Sequence, residues 1–223
     1  MKSIKNINVA EKRILVRCDF NIPMDGDGNI LDDFRIRETL PTIKYLIENK
    51  AKIILMSHLG EPGGKVVNVL KLDKVQEKLS EFLGFVVKKA EDCIGPEATE
   101  LVTNLKSGEV LLLENLRFHK GETENDSEFT KELSKLADIY VNEAFSVCHR
   151  AHASIVGVSK YLPAFPGFLL EKEIFNLNRI LENSEKPMIA IIGGKKVETK
   201  TKVINKISKV SDFIIISGLI KKE

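Results

Sequence analysis

Val110, Leu111, Leu112 and Leu113 stand side by side with no polar residue between them. A strand with one face in water alternates apolar and polar side chains, so an unbroken apolar run asks for burial on both faces. A parallel sheet sandwiched between helices meets that demand. Three further runs share the character: Ile14 to Val16 in RILVRCDF, Ile53 to Met56 in KIILMSHLG, and Ile139 to Val141 in DIYVNEAF. Between the runs, apolar residues recur at helical spacing, as in Ile36, Leu40, Ile43 and Ile47, then Leu72, Val75, Leu79 and Phe82, then Phe129, Leu133 and Leu136. Strands alternating with amphipathic helices predict an α/β class, a Rossmann-like three-layer parallel sheet with helices on both faces.

Turn and capping residues punctuate this pattern. Proline suits the first turn of a helix, so Pro41 places the start of the first helix near Thr39, and Pro96 opens another. Gly84 closes the second helix, and Asp126 caps the one that carries Phe129. Further on, Leu170, Ile174, Leu177 and Leu181 form one stripe, expected as core packing first and as a hinge second, on a helix that joins two domains. After Pro187, MIAIIGG, a Lys-rich helical stretch and DFIIIS make a single βαβ unit, which is too small a sheet to be stable by itself. The expected organisation is a first domain over 1–169, a connecting helix over 170–185, and over 186–223 the incomplete start of a second domain.

The bulk charge excludes some classes of partner. Lys and Arg total 34 against 32 Asp and Glu, a formal net charge of +2, which favours neither nucleic acid nor an anionic membrane surface. No apolar run approaches the roughly 18 residues of a membrane span, and the N-terminus has no apolar segment of the secretory kind. Cys18, Cys93 and Cys148 are odd in number and scattered, so they read as reduced thiols in a cytoplasmic protein and not as a disulfide framework or zinc site.

The chemistry lies just past the strands. The first run is followed by Asp19, Asn21 and, after a loop, Arg35; the second by His58; the third by Arg117, His119 and Lys120; the last by His149, Arg150 and His152. In a parallel sheet these ends share one edge, where ligands of such sheets bind. A guanidinium fork matches phosphate or carboxylate bidentately, so Arg35, Arg117, Arg150 and His58 converging there suit a small phosphorylated acid. Asp19 and Asn21 supply an acceptor and a donor for its hydroxyl. His152 is expected as a packing residue, His119 and Lys120 as solvated loop charges, and Cys148 as a small packing group.

The same residues carry a family resemblance. VRCDFNIP, DDFRIRETLPTIKYL, MSHLG, GEVLLLENLRFHKGE, NEAFSVCHRAHAS, GFLLEKE and IIGGKKVETK are similar, in order and over nearly the whole chain, to the signatures of phosphoglycerate kinase. That resemblance implies two Rossmann-like domains, the first for 3-phosphoglycerate or 1,3-bisphosphoglycerate and the second for ADP or ATP with Mg2+. It implies that Asp19, Asn21, Arg35, His58, Arg117 and Arg150 bind the phosphoglycerate and that Arg35 also steadies the phosphoryl group in transit. It assigns Lys196 a catalytic role and gives Lys196 and Lys200 to the nucleotide. A site built of cations without a nucleophile suits phosphoryl transfer, which asks mainly for alignment and charge stabilisation. The complete enzyme is expected to be monomeric, and this chain, as a C-terminally truncated piece, to bind 3-phosphoglycerate without full turnover. The alternative is a non-catalytic anion-binding or interaction protein that keeps the fold. The chain departs from the family at Glu61, which stands where the family has an arginine and predicts weakened phosphate binding. It departs also at Ser146–Val147, at Glu143 (for the usual aspartate) and at Glu198–Thr199, which bear on loop shape more than on charge.

Overall fold

The computed structural model describes residues 3–26, 28–182, 185–194 and 204–218, and the chain forms two compact units, Met1–Glu171 and Lys172–Glu223. In the first, β1 (Arg13–Arg17) leads through the loop bearing Asp19 and Asn21 to α1 (Phe34–Glu48). β2 (Lys52–Met56) precedes α2 (Asp73–Leu83), and β3 (Lys88–Lys89) precedes α3 (Pro96–Thr103). β4 (Val110–Leu112) runs into α4 (Lys120–Glu124) and α5 (Ser127–Lys135), and β5 (Ile139–Asn142) into a series of short turns ending at β6 (Ala164–Pro166). The six strands form one sheet in the order β3-β4-β2-β1-β5-β6, with every neighbouring pair parallel.

The unbroken apolar runs follow from the two-residue period of a strand. Ile14, Val16, Ile53, Leu55, Val110 and Leu112 point to one face, where they pack with Ile36, Ile43 and Leu46 of α1 and with Val75 and Leu79 of α2. Their alternates Leu15, Ile54, Met56, Leu111 and Tyr140 point to the other, against Ala98 and Val102 of α3 and Phe129 and Leu133 of α5. Burying one such aliphatic side chain contributes about 1.5–3 kcal/mol, so a central strand with no water-facing side stabilises both layers at once.

Local signals set most helix ends. Pro96 is the first residue of α3, Gly84 ends α2 in the left-handed conformation at φ 77°, and Asp126 accepts the Phe129 N–H at 2.8 Å to start α5. α1 differs from expectation, because it begins at Phe34 and Pro41 lies inside it. Pro41 is on the exposed side, so the hydrogen bond it cannot donate leaves a carbonyl that water can satisfy. Ile36, Thr39, Thr42, Ile43 and Leu46 bury the opposite face and carry the helix through.

α6 (Phe168–Glu182) begins in the first unit. The Glu143 carboxylate, at the end of β5, accepts the N–H groups of Leu169 at 3.3 Å and Leu170 at 3.1 Å. It also accepts the Thr42 hydroxyl, whose own oxygen accepts the Phe168 N–H at 2.9 Å. A carboxylate over these orphan donors favours a helix N-terminus. The stripe expected as core is only partly so: Leu170 is buried, whereas Leu177 and Leu181 are exposed. In the second unit, β7 (Ile189–Gly194) and β8 (Phe213–Gly218) pair in parallel, and Asp212 accepts the Met188 N–H at 2.7 Å.

Leu111→Ala is expected to cost about 2–5 kcal/mol in urea unfolding, through lost burial and a cavity between α3 and α5. Val86→Ala, at a residue 79% exposed, is expected to stay within about 0.5 kcal/mol. Equal costs at the two positions would contradict a sheet covered on both faces.

Candidate functional site

The central order β4-β2-β1-β5 brings four polar strand ends to one edge. Side chains that mimic missing strand partners hold the loops there. Phe20 N–H donates to the Ser57 hydroxyl at 2.8 Å, which ties the end of β1 to that of β2. Asn115, just past β4, accepts the N–H groups of Leu59 at 3.2 Å and Arg117 at 3.1 Å. Its amide donates to the carbonyls of Leu59 at 2.8 Å and Leu70 at 3.0 Å. The tight turn Leu116–Phe118 then carries Arg117.

A continuous path of contacts crosses the edge. Arg35 Nη1 pairs with Asp19 Oδ2 at 2.5 Å, and the Ser146 hydroxyl donates to that same oxygen. Asp19 Oδ1 accepts the Asn21 N–H at 3.1 Å, and Asn21 Oδ1 accepts the Gly60 N–H at 2.8 Å. Gly60 has φ 64°, and a Cβ there would come within 2.8 Å of Leu70, so a side chain at this position would disturb the link. The Gly60 carbonyl accepts from Arg117 Nη1 at 2.9 Å. The same Nη1 reaches Glu61 Oε1 at 2.7 Å, and Arg150 Nη1 lies 3.8 Å from that oxygen.

Beneath this path lies a buried network. Arg17, at the end of β1, has no exposed surface; its Nε donates to the Ser154 hydroxyl at 2.8 Å, and that hydroxyl donates to Glu122 Oε1 at 2.6 Å. Arg17 Nη2 is 4.0 Å from Glu122 and 3.1 Å from His58 Nδ1. Burial pushes the Glu122 carboxyl up, but His152, Arg17 and Ser154 outweigh it and hold the group below its ordinary range. His58 is lowered from 6.5 to about 2, first by burial and then by the guanidinium groups of Arg17, Arg117 and Arg150, against the opposite pull of Glu122. His58 is therefore neutral. Because Arg17 donates to Nδ1, the network assigns the imidazole proton to Nε2, which makes His58 a hydrogen-bond donor and not a cation.

Six of the residues singled out from sequence thus meet in one region: Asp19, Asn21, Arg35, His58, Arg117 and Arg150 belong to the path or to the network that feeds it. Lys196 and Lys200 lie outside the described residues. His119 turns to Asp92 at 2.6 Å and clamps two loops. The thiol of Cys148, an exposed residue, is pushed up by partial desolvation against the pull of Asn142 and Arg17, which leaves it a poor nucleophile. His152 stands 3.7 Å from Glu122, within the packed network.

Arg17, Glu122 and Ser154 were not anticipated. An arginine between Val16 and Cys18 in an apolar strand was the available signal, since a buried cation needs a counter-charge.

The arrangement can hold a small anion. Burial lowers Arg117, and the charges of Arg150 and Arg17 act in the same direction, opposed by Glu61 and Glu122. Among the described residues, the buried Arg117 Nε and Nη2 find no hydrogen-bond partner, so the fork retains donors for an incoming acceptor.

Comparison with known proteins gives one family. The family model described as phosphoglycerate kinase matches residues 4–223. A phosphoglycerate kinase of Moorella thermoacetica is 51% identical over 216 residues, covering 97% of this chain and 55% of that relative. Solved structures agree: the phosphoglycerate kinase of Pyrococcus horikoshii has a TM-score of 0.90 at 37% identity, over 100% of this chain and 56% of that one. For the Coxiella burnetii enzyme the TM-score is 0.85 at 38% identity, over 97% of this chain and 54% of that one. The chain therefore spans about 55% of the length of the curated relatives it matches.

With His58 neutral when folded and titrating near 6.5 when unfolded, the unfolded chain binds the extra proton, so stability falls as pH drops from 6.5 towards 2. Between pH 6 and 5, ahead of most carboxylates, unfolding free energy is expected to fall by about 1 kcal/mol from this group. Urea titrations at the two pH values should show His58→Gln removing that slope; an unchanged slope would mean that His58 takes up protons equally in the folded and unfolded chain.

Proposed function

The chain belongs to the phosphoglycerate kinase family, and on that premise we propose that its first unit binds 3-phosphoglycerate or 1,3-bisphosphoglycerate at the carboxyl edge of the sheet. In the complete protein the reaction is reversible phosphoryl transfer between 1,3-bisphosphoglycerate and ADP, giving 3-phosphoglycerate and ATP. The observation that carries the proposal is the buried Arg117 fork with two unspent donors, placed among Arg17, Arg150 and a neutral His58. Cations held by the fold suit an anion, because entering negative charge relieves more of their mutual repulsion.

The proposed roles follow from each group's state. Arg117 and Arg150 take the phosphate of the glycerate. His58 offers its Nε2 proton as a neutral donor and so adds direction without adding charge. Asp19, whose carboxylate is shared by Arg35, Ser146 and the Asn21 N–H, accepts the substrate hydroxyl, and Asn21 supports it. Arg35, partly exposed beside Asp19, is free to swing onto the phosphoryl group in transit, where it stabilises developing charge.

Lys196 and Lys200 are proposed to face the transferred phosphate and the nucleotide. Bound Mg2+ would neutralise charge on the nucleotide phosphates. The regions 1–169, 170–185 and 186–223 are proposed as substrate domain, connecting helix and the beginning of the nucleotide domain. Free cysteines, two of them buried, accord with a cytoplasmic setting, and among the described residues no helix is long and apolar enough to cross a membrane. We take the complete enzyme as a monomer.

A second reading, a non-catalytic anion-binding protein that keeps the fold, is favoured by one feature: Glu61 already lies against Arg117 and Arg150. Calorimetry and a coupled assay separate the two.

The 223-residue chain is expected to bind 3-phosphoglycerate, and Arg150→Ala to weaken it by about 1.5–3 kcal/mol, roughly ten- to a hundredfold. Absence of heat with 3-phosphoglycerate would defeat the substrate assignment. With 1,3-bisphosphoglycerate and ADP the chain alone is expected to show no turnover, and measurable ATP formation would overturn its reading as a half-site.

A further inference from the structure

One group at the anion-binding edge has the charge of a ligand. Glu61 Oε1 lies 2.7 Å from Arg117 Nη1 and 3.8 Å from Arg150 Nη1, so one carboxylate oxygen links the two guanidinium groups. We propose that Glu61 is the cleft's own counter-anion, and that a phosphate-bearing ligand binds by exchanging with it on Arg117 and Arg150. The ligand's identity rests on the phosphoglycerate reading; the exchange rests on these contacts.

Three observations support exchange over a fixed structural pair. The first is asymmetry of burial: the Arg117 side chain is 2% exposed, and that of Glu61 is 70% exposed. Releasing Glu61 to water costs little, whereas Arg117 left in the interior without a partner keeps an uncompensated charge. The carboxylate is therefore the member that leaves, and it leaves when a better anion arrives.

The second is the unused capacity of Arg117. Glu61 and the Gly60 carbonyl both draw on Nη1, while Nε and Nη2, the side edge of the fork, have no partner among the described residues. One carboxylate oxygen on one nitrogen is a poor use of a group able to donate in parallel to two oxygens. A phosphate monoester, with more oxygens and more charge, has more to gain from the same guanidinium.

The third is the tether. The Gly60 carbonyl accepts from the Arg117 side chain, and the Gly64 N–H donates to the Arg117 carbonyl at 3.2 Å. The segment 60–64 is thereby tied at both ends to the residue its carboxylate addresses. Displaced Glu61 remains close at hand and competes as an intramolecular ligand whose effective concentration depends on the loop. In the ligand-free chain, the same carboxylate opposes the mutual repulsion of Arg17, Arg117 and Arg150. Glu61 thus keeps the cations assembled and sets a threshold that an entering anion must exceed.

The test is calorimetry of the 223-residue chain, wild type, Glu61→Gln and Glu61→Ala, with inorganic phosphate and 3-phosphoglycerate in parallel at fixed ionic strength. Both variants are expected to bind both ligands about fivefold more tightly, as fits release from an exposed ion pair. That gain should shrink when Arg150→Gln is added, and without ligand both variants should melt at a lower temperature than wild type. The phosphate arm separates the two ideas. A gain for phosphate with no binding of 3-phosphoglycerate upholds exchange and removes the substrate assignment. Equal affinities of wild type and both variants for both ligands would overturn exchange and leave the assignment standing. If neither anion binds any of the three proteins, both fall.

Discussion

A guanidinium with no exposed surface, Arg17, closes β1, and its charge constrains everything built around it. It cannot be solvated, so it is answered by Glu122 through the hydroxyl of Ser154, and by the imidazole nitrogen of His58. Those three partners come from α4, from the turns after β5 and from the end of β2. One buried cation thereby joins segments remote in sequence around a single point. Replacing such a group by a well-packed apolar one need not destabilise a protein, but removing one partner alone typically costs about 3–5 kcal/mol. The network is thus better understood as a specifier of one loop arrangement than as a source of net stability. It also decides chemistry: burial, reinforced by Arg17, holds His58 neutral, and Arg17 selects its Nε2–H tautomer, converting a nominal cation into a directional donor.

Above Arg17, side chains continue what the backbone ladder stops doing. Where β4 ends, Asn115 receives and returns hydrogen bonds to the chain beyond β2, as a further strand residue would. Where β5 ends, Glu143 collects the first N–H groups of α6, so the strand edge that carries the proposed anion site also anchors the start of that helix. Burial pushes the Glu143 carboxyl up, with Thr42 and the helix N–H groups pulling the other way. Loops supported in this manner are held before any ligand arrives, which limits the ordering cost of binding.

Much of the fold was legible because strand burial leaves an unambiguous trace. The runs at Ile14, Ile53, Val110 and Ile139 became β1, β2, β4 and β5, and their alternate residues divide between the two helical layers. Capping residues were equally local in their effect, as at Gly84, Pro96 and Asp126. Pro41 misled because its penalty depends on which way the lost hydrogen bond faces, and only the packed α1 shows that it faces water. The stripe on α6 misled for a related reason. Periodicity reports that a face is apolar, but not that anything covers it, and Leu177 and Leu181 remain exposed.

The amino-acid order by itself determined the layer architecture and which residues stand at the carboxyl edge, because strand period and chain direction are local properties. It placed Asp19, Asn21, His58, Arg117 and Arg150 past the ends of parallel strands and Arg35 after the loop that follows the first, along with a family resemblance carried by the same residues. Tertiary structure alone decided their charge states and partners. The neutrality of His58, the pairing of Glu61 with Arg117 and Arg150, and the buried Arg17 relay all depend on desolvation and on distances of a few ångströms between remote segments. Electrostatic energy in a protein varies with both, and neither is written along the chain.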